Sequence, residues 1–138
     1  DVYAGNFVST ADKADFSAFL SGGSFNSTVV QSGGTTDVDI TNKLTILADA
    51  TDSAVTAVDT ATEVAALIEG IGDAMHLNSG GKAILFAGAD NASTAGANMW
   101  YVDDSLGDNV GTVEADDIVS VGTFTTDVDS YTAANFIF

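Results

Sequence analysis

The sequence contains no cysteine, no proline and no arginine, and only three lysines. The missing cysteine excludes disulfides and thiolate metal sites. It leaves the compartment open, because exported bacterial proteins often manage without it. The missing arginine excludes more. Lys13, Lys43 and Lys82 stand against twenty acidic residues, for a net charge of −17. Phosphate recognition depends on Lys and Arg, so nucleic acid and anionic membrane surfaces are poor partners. No apolar run reaches the ~18 residues of a spanning helix, and no membrane insertion is expected. The chain opens at Asp1 with neither a methionine nor a basic leader region, which points to a processed product or a piece of something longer.

Apolar residues nevertheless make up 46% of the chain, too many for a disordered polyelectrolyte. A chain of 138 residues is most simply one domain, 1–138. It can bury roughly two-thirds of its unfolded surface, enough for a core without staples. Polycations or divalent cations suit its charge, as does high ionic strength, where screening relieves self-repulsion. Ala, Gly, Ser and Thr crowd the sequence and Asp far outnumbers Glu, a profile common among secreted bacterial surface proteins.

Along the chain, "ADKADFSAFLSGG" places Phe16, Phe19 and Leu20 at helical spacing before Gly22-Gly23, which predicts a short helix over 11–20. "STVVQSGGTTDVDI" alternates around Gly33-Gly34 and reads as two short strands that a hairpin could join. "KLTILADA" is a buried strand through Leu44, Ile46 and Leu47. Thr60 and Glu63 then match a capping box, with Val64, Leu67, Ile68 and Ile71 at i, i+3, i+4 and i+7 and Gly70 or Gly72 as the stop. This predicts the main amphipathic helix at about 60–70. "GGKAILFAGAD", "ANMWYVDD" and "DDIVSVGTFTT" are further strands, with Met99 and Tyr101 on one face and Trp100 and Val102 on the other. "NFIF" makes a short terminal strand. The expected fold is α+β, a single domain with a mixed, mostly antiparallel sheet. Residues 1–42 would supply the N-terminal helix and short strands, and 43–138 the sheet-helix core. That core would pack Val64, Leu67 and Ile68 on the sheet residues Leu44, Ile46, Ile84 and Phe86.

The densest chemistry lies in "YVDDSLGDNVGTVEADD", Tyr101 to Asp117. Counted from Asp103, Glu114 falls at the twelfth position of a helix-loop-helix calcium loop, but Asp108 sits where that loop needs glycine. A less regular calcium site could draw on Asp103, Asp104, Asp108, Asn109 and Glu114, since hard cations want several oxygens on a flexible loop. The competing reading is that Asp and Asn simply make turns here. Asp103 and Asp117 could form a glycosidase carboxylate pair by composition, with Trp100 as the only indole platform, but twenty acids make any pair easy to find. His76 is the sole histidine, and no G-x-S-x-G accompanies it, so it reads as a residue near the helix C-terminus. "GGKAI" lacks the glycine and Ser/Thr of a phosphate loop. Asn26 and Asn91 fit glycosylation sequons. No enzymatic constellation emerges, and no fixed-period repeat is present.

"KLTILADA", "GGKAILFAGADNA", "MWYVDDSLGDNVGTVEADDIVSVGTF" and the closing "AANFIF" together resemble the C-terminal domains of bacterial proteins exported by the type I system. Those include repeats-in-toxin proteins, large adhesins and surface-layer proteins. The resemblance covers about 43–138 and rests on pattern order and tail composition; the upstream nonapeptide repeats are missing. It implies an extracellular, cell-surface structural protein or secretion-associated module, non-enzymatic and self-assembling into a filament or lattice as a homo-oligomer. The alternative is a calcium-dependent module that binds a surface polysaccharide or other polymer, and a hydrolase comes third. The terminal Asn135, Phe136, Ile137 and Phe138 are the expected assembly contact. Phe136 and Phe138 share one face of an extended chain and Ile137 takes the other, and the tail is covered either by its own sheet or by a neighbour's open edge.

Overall fold

A computed structural model describes residues 13–31, 37–48, 60–69, 75–88, 97–107, 109–124 and 132–138. In chain order these form β1 (Ala14–Asp15), β2 (Ser24–Gln31), β3 (Val38–Asp39), β4 (Lys43–Ala48), α1 (Ala61–Glu69), β5 (Met75–His76), β6 (Lys82–Gly88), β7 (Ala97–Asp103), β8 (Ile118–Phe124) and β9 (Phe136–Ile137). Five of the strands make one sheet in the order β2-β4-β6-β7-β8. β2, β4 and β6 run parallel, while β7 and β8 are antiparallel to their neighbours. Two small parallel pairs, β1 with β9 and β3 with β5, complete the pairing. The result is a small single-domain α+β fold, mostly sheet, with one helix among the described residues.

The sheet is mixed, as expected, but not mostly antiparallel: β2–β4 and β4–β6 are parallel, as are the small pairs β1–β9 and β3–β5, while β6–β7 and β7–β8 are antiparallel. Connections carrying β3 and α1 separate β2 from β4 and β4 from β6, and a parallel neighbour needs that length of crossover chain. β2 and β3 do not form the hairpin that their intervening glycines suggested. Each pairs elsewhere, β2 with β4 and β3 with β5, so β2 belongs to the main sheet. β4 and β6 explain the long apolar runs in the sequence. Leu44 to Leu47 and Ala83 to Ala87 are buried without interruption, as strands covered on both faces must be.

α1 forms where the capping box placed it. The Thr60 amide donates to Glu63 Oε2 at 3.0 Å and the Glu63 amide donates to Thr60 Oγ1 at 3.3 Å. Its apolar stripe buries Val64 and Ile68 fully and Leu67 in part. Ile71 lies outside the described residues. The helix covers the face opposite the one expected. Val64 and Ile68 pack with Leu47, Leu85, Trp100, Val102 and Ile118. Leu44, Ile46, Ile84 and Phe86 belong to a second core on the other face. Period-two alternation tells which residues share a face but not which face meets the helix.

That second face is covered by the two ends of the described chain. Phe16, Leu20 and Phe136 sit in the core with Phe86 and Met99. Phe136 stands 5.2 Å from Phe25, 5.9 Å from Phe86 and 6.0 Å from Phe16, ring centre to ring centre. The helix expected over 11–20 is not seen: 11 and 12 lie outside the described residues, Ala14–Asp15 is strand, and Ser17 to Phe19 is a turn. Two local forces hold it so. β1 pairs with β9, with the Phe16 amide donating to the Ile137 carbonyl at 2.7 Å. The Asp15 carboxylate accepts from both the amide and hydroxyl of Ser17, an aspartate-led turn. The helical spacing of Phe16 and Leu20 therefore produces a single turn closed by the Leu20 amide on the Phe16 carbonyl at 2.8 Å.

Two truncations test this two-faced core. Ile68→Ala on the helix face should cost about 2–5 kcal/mol, and Phe136→Ala on the other face about 3–5 kcal/mol, in urea melts. Leu67→Ala should cost less than Ile68→Ala, since Leu67 is only partly buried. A Phe136→Ala loss below about 0.5 kcal/mol would show the tail to be dispensable to the fold.

Candidate functional site

The acidic loop that the sequence singled out sits at one end of the sheet, where β7 leaves and β8 begins. It carries three buried carboxylates: Asp103 at 3% exposure, and Asp104 and Asp117 at 1% each. A buried carboxylate is costly unless its charge is met by donors. The structure meets most of it with main-chain amides.

Asp103 closes β7 and is the register partner of Lys82 at the start of β6. Lys82 Nζ lies 2.9 Å from its Oδ2, and the Tyr101 hydroxyl donates to the same oxygen at 2.9 Å. The Ser105 amide and hydroxyl donate to Oδ1 at 3.1 and 2.5 Å. Burial alone would push this carboxyl up. The Ser105 hydroxyl, then Lys82 and Tyr101, outweigh it and hold the pKa down to about 2. The same cluster raises Lys82, chiefly through Asp103. Tyr101 is raised by burial first and by its bond to Asp103 second. The Lys82 ammonium also lies 6.0 Å from the Tyr101 ring centre, and Phe19 stands 5.3 Å from that ring.

Asp104 joins two loops. Its Oδ2 accepts from the Gly80 amide at 2.6 Å and the Gly111 amide at 2.7 Å, while its own amide donates to the Gly81 carbonyl at 3.0 Å. Gly111 adopts φ 106°, a region that disfavours any side chain. Asp104 Oδ1 is buried without a hydrogen-bond partner among the described residues. Asp117 does for the next turn what Asp104 does for the first. Oδ1 accepts from the Gly107 amide at 2.6 Å and Oδ2 from the Glu114 amide at 2.9 Å. A side chain at position 107 would meet Asp117 Oδ1 at 2.7 Å, so only glycine allows that approach.

Of the candidate calcium ligands, the structure thus brings Asp103 and Asp104 to the base of the loop, each engaged by protein donors. Asn109 and Glu114 join through the backbone: the Asn109 carbonyl accepts from the Thr112 amide, and the Glu114 amide donates to Asp117. Asp108 lies outside the described residues. Among the described residues no three His, Cys, Asp or Glu side chains converge as a metal-holding group. Asp103 carries its own counter-ion in Lys82. The paired acids Asp103 and Asp117 are likewise both bonded to loop donors. Sequence reasoning missed the role of Asp117 and of the glycine amides. The signals available were Gly80-Gly81 opening β6 and the i, i+3 spacing of Glu114 and Asp117.

His76 is not a helix C-terminal residue. α1 ends at Glu69, and His76 lies on β5, with Nδ1 2.5 Å from Asp37 Oδ1. In the terminal segment, Asn135 and Phe136 are buried and Ile137 is 44% exposed. The Thr132 amide donates to Asn135 Oδ1 at 2.9 Å. Among the described residues no helix is long and apolar enough to cross a membrane. The chain matches no protein-family model, no curated protein and no solved structure.

The acid limb of stability tests the loop wiring. Asp103 is depressed below the ordinary carboxylate range, so it stabilises the folded state above about pH 4. That contribution is lost as pH falls from about 4 towards about 2. Asp103→Asn should cost about 2 kcal/mol at neutral pH, and its stability curve should converge on that of the parent protein at acid pH. A gap that does not narrow on acidification would show that the charge of Asp103 contributes nothing.

Proposed function

We propose that this chain is a non-enzymatic structural domain of the bacterial cell surface, exported by a type I route and self-assembling into a filament or lattice. The observation that carries the reading is how the buried carboxylates are used. Asp103, Asp104 and Asp117 direct their bonded oxygens at loop amides, a serine, a tyrosine and a lysine of the same domain. Carboxylates so engaged hold a scaffold in shape. The small-residue, aspartate-rich composition and the tail resemblance support the extracellular setting. Assembly of chains carrying −17 each needs their repulsion screened. The buried positions of Asn135 and Phe136, with Phe138 half-buried against the same core, make the tail part of its own domain first, leaving Ile137 as its surface contribution.

One observation favours the second reading, a calcium-dependent module for a surface polysaccharide or other polymer. Asp104 Oδ1 is buried and unpartnered among the described residues, and a carboxylate oxygen of that kind attracts a cation. Phe19 and Tyr101, with the Lys82 ammonium over the Tyr101 ring, offer an aromatic surface for a sugar ring.

Sedimentation velocity and negative-stain microscopy decide between them. The structural reading expects polymers that grow as salt rises towards about 1 M, where the Debye length falls to ~3 Å. A chain that stays monomeric there at high protein concentration overturns it. Calcium, magnesium and sodium at matched ionic strength should raise the melting temperature equally. A calcium-specific rise, roughly 2.7 kcal/mol at one hundred times Kd, that disappears in Asp104→Asn would favour the binding module.

A further inference from the structure

We infer that copies join head to tail by continuing the central sheet, β8 of one chain lying against β2 of the next. The inference rests on the assembly reading above and names its contact. β2 and β8 are the two terminal strands of the sheet, eight and seven residues long. Among the described residues no further strand pairs with the outer side of either, and the turn at Ala133–Asn135 packs near β2. Their sequences, SFNSTVVQ and IVSVGTF, hold no charged residue, in a chain with twenty acids. Two copies of a −17 protein repel wherever carboxylates face each other. These two strands are where backbones can approach without placing a strand carboxylate in the contact, and exposed strand edges are ready templates for pairing.

Direction and facing agree. β2, β4 and β6 are parallel, β7 reverses and β8 reverses again, so β8 runs the same way as β2. A neighbour displaced across the sheet, without being turned over, brings its β2 alongside β8 in parallel register. Within one chain the cross-strand row on the tail-covered face reads Phe25, Leu44, Ile84, Tyr101, Val119. Val119 ends the row at 47% exposure. In the joined sheet the neighbour's Phe25 side of β2 comes next and covers it, the cross-strand pairing that stabilises sheets. The register shifts on β2 after Asn26 and between β7 and β8 at Met99/Trp100 add local twist. The open, head-to-tail contact then winds into a helical filament and does not close as a dimer.

Two single-edge variants test it. Val119→Glu places a carboxylate on β8 and Ser24→Glu one on β2, both at exposed positions, and Ser120→Glu, also exposed, replaces the first should it disturb folding. Melting temperatures should match the parent. Each variant alone should lose assembly, with the half-assembly concentration raised about tenfold or more. Mixed together, they should form heterodimers and stop, because one copy keeps a working β8 and the other a working β2. Dimers of Ser24→Glu alone would mean that β8 pairs with itself, and the head-to-tail contact is overturned. Variants that polymerise like the parent place the contact elsewhere and overturn it too, while the structural reading stands. A parent chain that never assembles removes that reading as well.

Discussion

β6 is buried on both sides from Ala83 to Ala87, and the rest of the structure follows from covering it. Alternate side chains of a strand point to opposite faces, so a strand that is apolar throughout needs two separate covers. One is the α1 face, where Val64 and Ile68 meet Leu85 and Ala87. The other comes from sequence-distant pieces, Phe16, Leu20 and Phe136, brought together over Ile84 and Phe86 by the β1–β9 pair. Two parts of the chain more than a hundred residues apart therefore share one aromatic core, and ordering either end depends on the other.

The acids that dominate the sequence divide into two groups by what surrounds them. Most give the chain its charge and its dependence on screening. Asp103, Asp104 and Asp117 instead replace the regular backbone pairing that ends with the strands. Loop amides need acceptors when buried, and a carboxylate oxygen that accepts two amides, as Asp104 Oδ2 does, satisfies both at once. Lys82 is spent on the one carboxylate that also faces a tyrosine hydroxyl, which leaves Lys43 with Asp39. With so few cations, the fold meets buried negative charge with peptide dipoles.

Those features bear on function in opposite ways. An acidic coat keeps copies apart, whereas two uncharged strands at the ends of one sheet allow a directed approach. The assembly proposed above, in a medium of high ionic strength, would reconcile them, since salt weakens the repulsion between coats and leaves backbone pairing at the edges largely intact.

The sequence by itself determined the local elements. The Thr60/Glu63 box and its i, i+3, i+4 stripe located α1, and the alternation of Met99, Trp100, Tyr101 and Val102 assigned faces within β7, because both signals are carried by residues a few positions apart. It also singled out the loop from Asp103 to Asp117, through acid density alone. Only the tertiary structure decided which sheet face the helix covers, that 13–20 contributes a strand and a turn and not a helix, that Phe136 lies inside its own domain, and that the loop acids bind amides from the Gly80 and Gly107 turns. Each of those outcomes depends on partners distant in sequence, and no local pattern encodes them: a tail such as NFIF reads the same whether its phenylalanine meets Phe16 of its own chain or the edge of another.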